Sequence, residues 1–368
     1  MSSPGAEPVT AVSGTPSYRA GPGGSGRLQV GVVFPTYEIG NDPGLVRAFG
    51  QLAEELGYSH IVAYDHVLGV HPDRDGWTRG PDGRPFVPHT YLHPMHEAMV
   101  LMAFLAGATS RIGFMSGVLV LPQRPTALAA KQAAELAVLR PGAVRLGVGA
   151  GWNFAEYDAL GADFTNRGKR MDEQVQVMRE LWAHDLVDFH GAYHRIDNAG
   201  INPRPAETIP VWFGGQSESV LRRCARIGDG IIPLLRPRDT LARVRDRLYG
   251  YADAEGRDPS SIGIEVFTNF MPGTDYGLHK PSSPDLVLAA DADRWAAKLD
   301  TLESFGGITH VSLLTMDYGL PGPQSHLEAI QKYAEAVDLP ARSRENDADV
   351  ALMKRSLERR SAGGRGSD

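Results

Sequence analysis

Asp65 and His66 are the residues of this sequence best suited to proton chemistry. A histidine side chain titrates near neutral pH, so it can donate or accept a proton during a reaction. The pair follows the run His60–Ala63, which reads as a short strand, with one residue, Tyr64, between them. A histidine bonded to the backbone at a strand end, with only a structural role, would give the same pattern. Of the two interpretations we favour an acid–base role for His66.

A second candidate site follows the segment Pro210–Gly215, which reads as a strand ending in two glycines, Gly214 and Gly215. Gln216 and Ser217 then open an amphipathic helix. Glycines let a phosphate approach the backbone, and the unpaired N–H groups and dipole at a helix N-terminus favour an anion. An ordinary strand-to-helix turn capped by Ser217 explains the same residues.

The segment Gly147–Gly151 has three glycines in five residues. Its spacing does not match the Gly-x-Gly-x-x-Gly of dinucleotide-binding turns, and no convincing acidic partner follows about 20 residues later, which excludes that type of site. We interpret Gly149 and Gly151 as clearance for a flat ring system, with Trp152 and Asn153 at its rim. Tight packing at a strand end is the alternative.

His89, His93, His96 and Glu97 have spacings that could place several ligands on one helix face, as a metal site requires. Pro94, however, is expected at or just before the start of that helix, which leaves His89 and His93 in the preceding loop. We therefore predict no metal site and expect substrate contacts or a structural first turn instead.

Arg167, Lys169 and Arg170 begin another helix after a glycine-rich loop. Arg167 is a candidate contact for a cofactor phosphate or carboxylate, and a solvated run of charges explains the three residues nearly as well. We expect Glu156 to pair with one of these arginines rather than to act as a catalyst.

These candidates must be positioned by a fold in which short β-rich apolar runs alternate with longer segments of helical period, a pattern typical of parallel α/β proteins. Eight strands are predicted, at Leu28–Phe34, His60–Ala63, Arg111–Leu121, Ala143–Val148, Pro210–Gly214, Gly230–Leu234, Ile262–Thr268 and Thr309–Leu314. Eight helices are predicted, at Pro43–Leu56, Met95–Thr109, Thr126–Leu139, Arg167–Trp182, Ser217–Ile227, Arg238–Glu255, Asp291–Phe305 and Gln324–Ala336. Eight βα units in one chain favour a closed (β/α)8 TIM barrel, in which active sites lie at the carboxyl ends of the strands.

Two long connections interrupt this pattern, one after strand 2 and one after strand 4. Val67–His93 is interpreted as a substrate lid, in which Trp77, Tyr91 and His93 are candidate substrate contacts. Asp188–Arg204 resembles a small β-hairpin with a Gly turn. The barrel is expected to span residues 27–340, between a flexible, disordered arm at 1–26 and a charged helical tail at 341–368.

The overall composition excludes several functions. Forty-four acidic and 37 basic residues give a formal charge of -7, which is too mild and dispersed for a nucleic-acid or membrane-surface protein. The single cysteine, Cys224, rules out an intrachain disulfide or a Cys-based zinc site and is expected in a buried helix. No apolar run approaches the roughly 20 residues of a transmembrane helix, so we expect a soluble, cytoplasmic protein.

Several blocks of the sequence resemble the bacterial luciferase-like superfamily, especially its branch of oxidoreductases that depend on the deazaflavin coenzyme F420. The resemblance runs from Leu28 to about Ala336. It rests on the shared order and spacing of Ala53–Tyr58, Tyr64–His66, Thr109–Gly113, Gly117–Pro122, Leu146–Trp152, Glu156-Tyr157, Arg167–Glu173 and Pro210–Gly215. Known members are (β/α)8 barrels that use F420 or FMN.

The resemblance implies a role for each candidate. A cofactor phosphate would lie near Gly214 and Gly215, and the ring would lie against a bulge with a cis peptide at Gly117-Val118. His66 would be the acid–base residue, with Asp65 as a catalytic partner, a cofactor contact or an orienting contact.

The activity that the resemblance implies is hydride transfer between F420 and a small organic substrate. The alternative is a two-component monooxygenase that uses reduced FMN, supplied by a flavin reductase, and dioxygen. A flavin-binding barrel without catalysis and a metal-dependent barrel hydrolase also stay open, because fold alone does not establish turnover. We expect a homodimer with no nucleic-acid or membrane partner.

Overall fold

Eight parallel strands close into a barrel, as the alternation of apolar runs and helical segments predicts. The computed structural model describes residues 28–71, 73–74, 89–233, 241–269, 292–316 and 320–339. The predicted arm at 1–26 and the predicted tail at 341–368 lie outside the described residues.

The strands of the described chain are, in order, β1 (Gln29–Val33), β2 (His60–Ala63), β3 (Gly113–Ser116), β4 (Leu119–Val120), β5 (Val144–Gly149), β6 (Val187–His190), β7 (Arg195–Ala199), β8 (Val211–Gly214), β9 (Gly230–Ile232), β10 (Gly263–Asn269) and β11 (His310–Leu314). Every pairing in the barrel wall is parallel, and the pairings of β1 with β11 and of β3 with β5 complete the ring. β3 and β4 together form the third barrel strand, whereas β6 and β7 form a separate hairpin.

The described helices lie around the barrel. They are α1 (Pro43–Glu55), α2 (Ala98–Ala108), α3 (Thr126–Leu139), α4 (Phe154–Ala159), α5 (Arg167–Ala183), α6 (Glu218–Ile227), α7 (Leu241–Ala254), α8 (Ala292–Phe305) and α9 (Pro323–Ala336). In α1 the buried residues Val46, Phe49, Gly50 and Ala53 recur at helical spacing. Cys224 is buried in α6, as predicted.

The third strand corrects one prediction, since Arg111–Leu121 is not a continuous strand. It breaks into β3 and β4 around Gly117 and Val118, and a short 3₁₀ turn, Leu121–Gln123, follows. The peptide bond between Gly117 and Val118 is cis, as the resemblance implies. The other seven predicted strands are confirmed, with small shifts at their ends.

Two helix predictions also change. α2 begins at Ala98 rather than at Met95, because Glu97 acts as its N-cap and its Oε2 accepts a hydrogen bond from Val100 N at 2.8 Å. The short helix α4 was not predicted, although Asn153 at its N-cap is a typical start signal.

The amino-terminal half of the barrel interior holds a buried ionic network. The Glu265 carboxylate accepts hydrogen bonds from Arg145 Nη1 at 3.0 Å and Ser312 Oγ at 2.6 Å, and it lies 2.9 Å from His60 Nε2. Burial alone would raise the pKa of Glu265, but Arg145 and His60 outweigh it and hold that pKa well below its ordinary value. The Arg145 guanidinium also lies 4.7 Å from the ring centroid of Trp212.

The hairpin predicted within Asp188–Arg204 is confirmed as the antiparallel pair β6 and β7. Its turn is held on α5, because the Glu173 carboxylate accepts from Ala192 N at 2.7 Å and Tyr193 N at 2.8 Å. Within the part of the chain that the structure describes, no helix combines the length and apolar character needed to cross a bilayer.

Candidate active site

Four groups of candidates identified in the sequence lie on one arc of the barrel rim. They follow β2, the third strand, β5 and β8, which are consecutive neighbours in the wall. Because all these strands are parallel, their carboxyl ends face the same side. Adjacent strands lie about 4.8 Å apart, so the arc from β2 to β8 spans three spacings, roughly 14 Å.

Val118 lies against glycines of two other strands, Gly149 of β5 and Gly214 of β8. A Cβ atom on Gly149 would lie 2.5 Å from Val118 Cγ2, and one on Gly214 would lie 2.8 Å from Val118 Cγ1. Both contacts are closer than real Cβ atoms allow, so the space beside these glycines is taken up by Val118. A Cβ on Gly147 would lie 2.0 Å from the carbonyl oxygen of Ser116, which is the tight packing considered as the alternative. Val118 itself is partly exposed and forms part of the floor of the rim.

His66 is held by Glu156, the first functional contact that the sequence did not reveal. His66 Nδ1 lies 3.0 Å from Glu156 Oε1, and the same oxygen accepts from Val67 N at 3.0 Å and Leu68 N at 3.2 Å. Asn153 Nδ2 adds a hydrogen bond to Leu68 O at 2.9 Å. The start of α4 therefore fixes both the imidazole and the first residues of the predicted lid.

The Glu156 carboxylate is ionised in this arrangement. Its side chain is 1% exposed, and burial alone would raise its pKa. The hydrogen bond with His66 and the backbone N–H donors outweigh burial, so the pKa of Glu156 is lowered from its ordinary value.

The His66 ring is also confined by other aromatic side chains. His89 stacks on it at a centroid distance of 5.0 Å and an interplanar angle of 12°, and Trp152 meets it edge-on at 5.2 Å. Tyr37 stacks on the far side of His89 at 5.8 Å. His89 is buried, and burial together with the neighbouring His66 and His93 lowers its pKa to about 4. His89 is therefore neutral at physiological pH.

Asp65 is buried, and both of its carboxylate oxygens bond to residues of the third strand and the turn after it. Its Oδ2 accepts from Val120 N at 2.8 Å, and its Oδ1 accepts from Arg124 Nη2 at 2.6 Å. Arg124 also pairs with Glu97 at 2.9 Å. Burial raises the pKa of Asp65, against the opposing effect of Arg124 and the Val120 N–H. The arrangement gives Asp65 an evident structural role, and its role toward a cofactor stays a prediction.

Gly215 and Ser217 form the predicted turn at the start of α6. Gly215 has a φ of +114°, in the region that favours glycine, and Gln216 beside it is partly buried. Ser217 is the N-cap of α6 and accepts one backbone hydrogen bond, at 3.4 Å, from the N–H three residues on. Glu218 in the first turn would repel an anion, but Arg222 pairs with it at 2.7 Å. The helix N-terminus is thus compatible with a phosphate.

The positively charged start of α5 does not pair with Glu156, although the sequence predicted this pair. Arg167 Nη1 donates to Phe164 O at 2.8 Å, and its guanidinium lies 3.8 Å from the centroid of the Phe164 ring. The expected pairing of Glu156 with an arginine of this run is wrong, because its carboxylate bonds to His66 instead. Arg167 stays a predicted cofactor contact.

Of the predicted substrate contacts, Trp77 lies outside the described residues. Tyr91 is 58% exposed and stacks on His71 at 5.6 Å, whereas His93 lies beside Tyr37 at 4.9 Å. His96 Nε2 is 3.3 Å from Gly40 O. Among the described residues, no group of three or more His, Cys, Asp or Glu side chains could hold a metal ion.

The sequence profile of the luciferase-like monooxygenase family matches residues 25–275, more than half of the chain. The chain belongs to the luciferase-like monooxygenase family. The family is one of oxidoreductases and includes members that depend on F420 and members that depend on FMN.

Curated relatives of this luciferase-like chain carry both kinds of name. An uncharacterized protein of Mycobacterium tuberculosis is 38% identical over 263 residues, which cover 69% of this chain and 90% of the relative. The pyrimidine monooxygenase RutA of Allorhizobium ampelinum is 36% identical over 201 residues, 53% of this chain and 49% of the relative. The F420-dependent hydroxymycolic acid dehydrogenase of M. tuberculosis is 30% identical over 237 residues, 64% and 60% of the two chains.

Solved structures agree on the fold. An F420-dependent secondary alcohol dehydrogenase superposes with a TM-score of 0.65 at 20% identity, over 84% of this chain and 99% of the other. The oxygenating constituent of 3,6-diketocamphane monooxygenase from Pseudomonas putida superposes with a TM-score of 0.62 at 17% identity, over 84% and 98%.

The rim of this luciferase-like barrel fits a flavin-type cofactor in two respects. Gly117 and Val118 are partly exposed between buried Ser116 and Leu119, so this stretch is accessible to a bound molecule. At the other end of the arc, the N-terminus of α6 begins beside Gly215 and provides unpaired N–H groups. A ring and a phosphate therefore each have a complementary surface.

Sequence reasoning missed the partners of His66. Glu156 and His89 lie 90 and 23 positions from His66 in the chain, and neither spacing indicates contact. The available signal was Asn153 as an N-cap, which predicts a short helix after the glycine run and brings Glu156 toward the rim.

Proposed function

We propose that this chain transfers hydride between coenzyme F420 and a small organic substrate. The observation that carries the proposal is the oriented imidazole of His66 at the rim, on the same arc as the accessible Gly117-Val118 backbone and the N-terminus of α6. When bound, F420 supplies the hydride acceptor or donor.

Each rim element then has one task. Gly117 and Val118 support the ring, and Gly214, Gly215 and the first turn of α6 bind the phosphate. His66 takes the proton from the substrate as it is oxidised, or returns it in the reverse direction.

The preference for F420 draws on the names of the relatives. Two of them are called F420-dependent, at 30% identity over 237 residues and 28% over 242 residues. RutA is more similar at 36%, but over 201 residues. An FMN-dependent oxygenation, with a separate flavin reductase as partner, is therefore the second candidate.

Titration of the purified protein with F420 and, separately, with FMN tests the proposal through the visible absorbance of each cofactor. We expect micromolar or tighter binding of F420, followed by F420 reduction on addition of an alcohol or related substrate. Tight binding of FMN alone, with oxygen consumption, would establish the second candidate instead. If neither cofactor binds, both are wrong.

A variant pair assigns the proton step. His66→Ala should bind F420 but lose about 10²- to 10⁴-fold in kcat, the usual contribution of a general acid or base. His184→Ala is the control, because His184 is exposed at the C-terminal end of α5 and pairs with Glu180 of the same helix at 3.5 Å. Equal turnover of both variants would remove His66 from the mechanism.

We also retain the homodimer as a proposal. Val100 of α2 is 66% exposed, and Phe104 of the same helix and Leu128 of α3 are 38% and 54% exposed. Neighbouring exposed apolar side chains of this kind often mark subunit interfaces. Light scattering coupled to gel filtration should give twice the chain mass, and the mass of one chain would contradict the proposal.

A further inference from the structure

Glu156 Oε1 is crowded with donors. Two backbone N–H groups, of Val67 and Leu68, point at this oxygen from 3.0 and 3.2 Å, and His66 Nδ1 lies 3.0 Å away. An ionised carboxylate can only accept hydrogen bonds. A proton on Oε1 would point toward the two backbone N–H donors, which is unfavourable. The contact with His66 is therefore made by an Nδ1–H that donates.

The ring cannot easily turn over to offer its other nitrogen. His89 lies nearly parallel to it at a centroid distance of 5.0 Å, and the Trp152 ring lies at a steep angle to it at a centroid distance of 5.2 Å. Rotation of the imidazole by half a turn would also replace Nδ1 by a carbon opposite Glu156, so Oε1 of the buried carboxylate would lose the contact with His66. Stacking and the hydrogen bond thus select the same orientation.

We propose that Glu156 is a positioning residue that holds His66 as the Nδ1–H tautomer and so makes Nε2 the atom that accepts or returns the proton. This proposal rests on the proposed function for the reaction that His66 takes part in. The tautomer of the His66 ring does not depend on that function. The proposal adds to that function a specific atom and a second residue, on a helix that does not belong to the strand carrying His66.

The same helix offers a matched control. Asn153 holds the chain after His66 through Leu68 O at 2.9 Å but makes no described contact with the imidazole. In Asn153→Ser the shorter side chain still caps α4 and loses the contact with Leu68. A purely structural role of α4 would affect this variant and Glu156→Gln alike, whereas a positioning role separates them.

The test is long-range ¹H–¹⁵N NMR of histidine-labelled, cofactor-free protein at alkaline pH, with His66 assigned from a His66→Asn variant. We expect the wild type and Asn153→Ser to show protonated Nδ1 and unprotonated Nε2 at His66. Glu156→Gln should show a substantial population of the other tautomer, because an amide can donate to Nδ1 as well as accept from it. Protonated Nε2 in the wild type, or an unchanged ring in Glu156→Gln, would overturn the proposal.

Steady-state kinetics provide a second test of the proposal. Glu156→Gln should lower kcat roughly 10- to 1,000-fold, within the range of a misoriented acid–base group, with little change in KM. Asp158→Asn makes the same carboxylate-to-amide change at an exposed position of α4 and should stay within a few-fold of wild type in both constants. If F420 turnover is not found, the proposed function fails, and the NMR result still decides the role of Glu156. If Glu156→Gln does not fold, the wild-type tautomer alone decides it.

Discussion

Replacing Glu265 by glutamine should destabilise the barrel far more than the same change at the surface. The carboxylate lies between Arg145 Nη1 at 3.0 Å and His60 Nε2 at 2.9 Å, and all three side chains are at most 2% exposed. Glutamine has nearly the same shape, so no cavity forms, but the negative charge facing Arg145 is lost.

Breaking one partner of a buried ion pair costs about 3–5 kcal/mol, because a desolvated charge remains. We expect a loss of that size in the free energy of unfolding, measured by guanidinium denaturation with far-UV circular dichroism. The lowered pKa of Glu265 sets how this stabilisation depends on pH. The contribution of Glu265 to the free energy of unfolding is complete above its unfolded-state pKa and is lost as the pH falls toward its folded-state pKa. The difference in unfolding free energy between the wild type and Glu265→Gln should therefore become smaller in strong acid.

Glu218→Gln is the control for this experiment, because it makes the same chemical change in an exposed pair with Arg222. Its free energy of unfolding should stay close to that of the wild type. The double variant Arg145→Met, Glu265→Gln should recover part of the loss, since no unpaired charge is left. If Glu265→Gln lies within about 1 kcal/mol of the wild type, the network does not stabilise the barrel as argued.

Three further predictions concern the rim and its surroundings. Gly214→Ala should cost about 1–3 kcal/mol and weaken cofactor binding, because its Cβ would force Val118 to move; unchanged cofactor affinity would contradict this. His326 is fully buried and its pKa is lowered to about 4, so on acidification the histidine is protonated in the unfolded state before it is protonated in the folded state. The free energy of unfolding should therefore fall between about pH 6.5 and 4, and the slope of this fall should be smaller in His326→Gln. Asp65→Asn should lose about 1–3 kcal/mol through the weakened contact with Arg124, and a variant as stable as wild type but inactive would favour a catalytic role for Asp65.

The fold was predictable because its signals are local. Each barrel strand is a short apolar run and each helix has a periodic face, so eight units can be counted without knowing any long-range contact. The resemblance implied a bulge at Gly117-Val118, but the pattern of residues did not show that the strand ends there, since Phe114 and Met115 before it and Leu119 and Val120 after it are as apolar as in a continuous strand. In the structure, Leu119 and Val120 pair with β5, whereas β3 pairs with β2 along its whole length and with β5 through Phe114 and Met115.

The site was predictable in its placement but not in its partners. His66 and the glycine turns follow from strand ends, which the sequence marks. The contacts of Glu156 and Glu265 depend on which side chains face each other across the barrel, and no spacing in the chain encodes that. The arginine run near Arg167 was misleading because opposite charge suggested a pair, whereas Glu156 bonds to a histidine from another strand.

The break in the third strand has a consequence for the residue next to His66. In a continuous strand the N–H of Val120 would donate to a carbonyl of the neighbouring β2 segment, but the chain has moved out of that ladder. The Asp65 carboxylate, at 2.8 Å, takes the place of the absent carbonyl. The Asp65 side chain therefore replaces a backbone acceptor, and position 65 needs an acceptor of that reach. An enzyme engineered for a different reaction could exchange the acid–base residue and would still have to keep an aspartate or asparagine beside it.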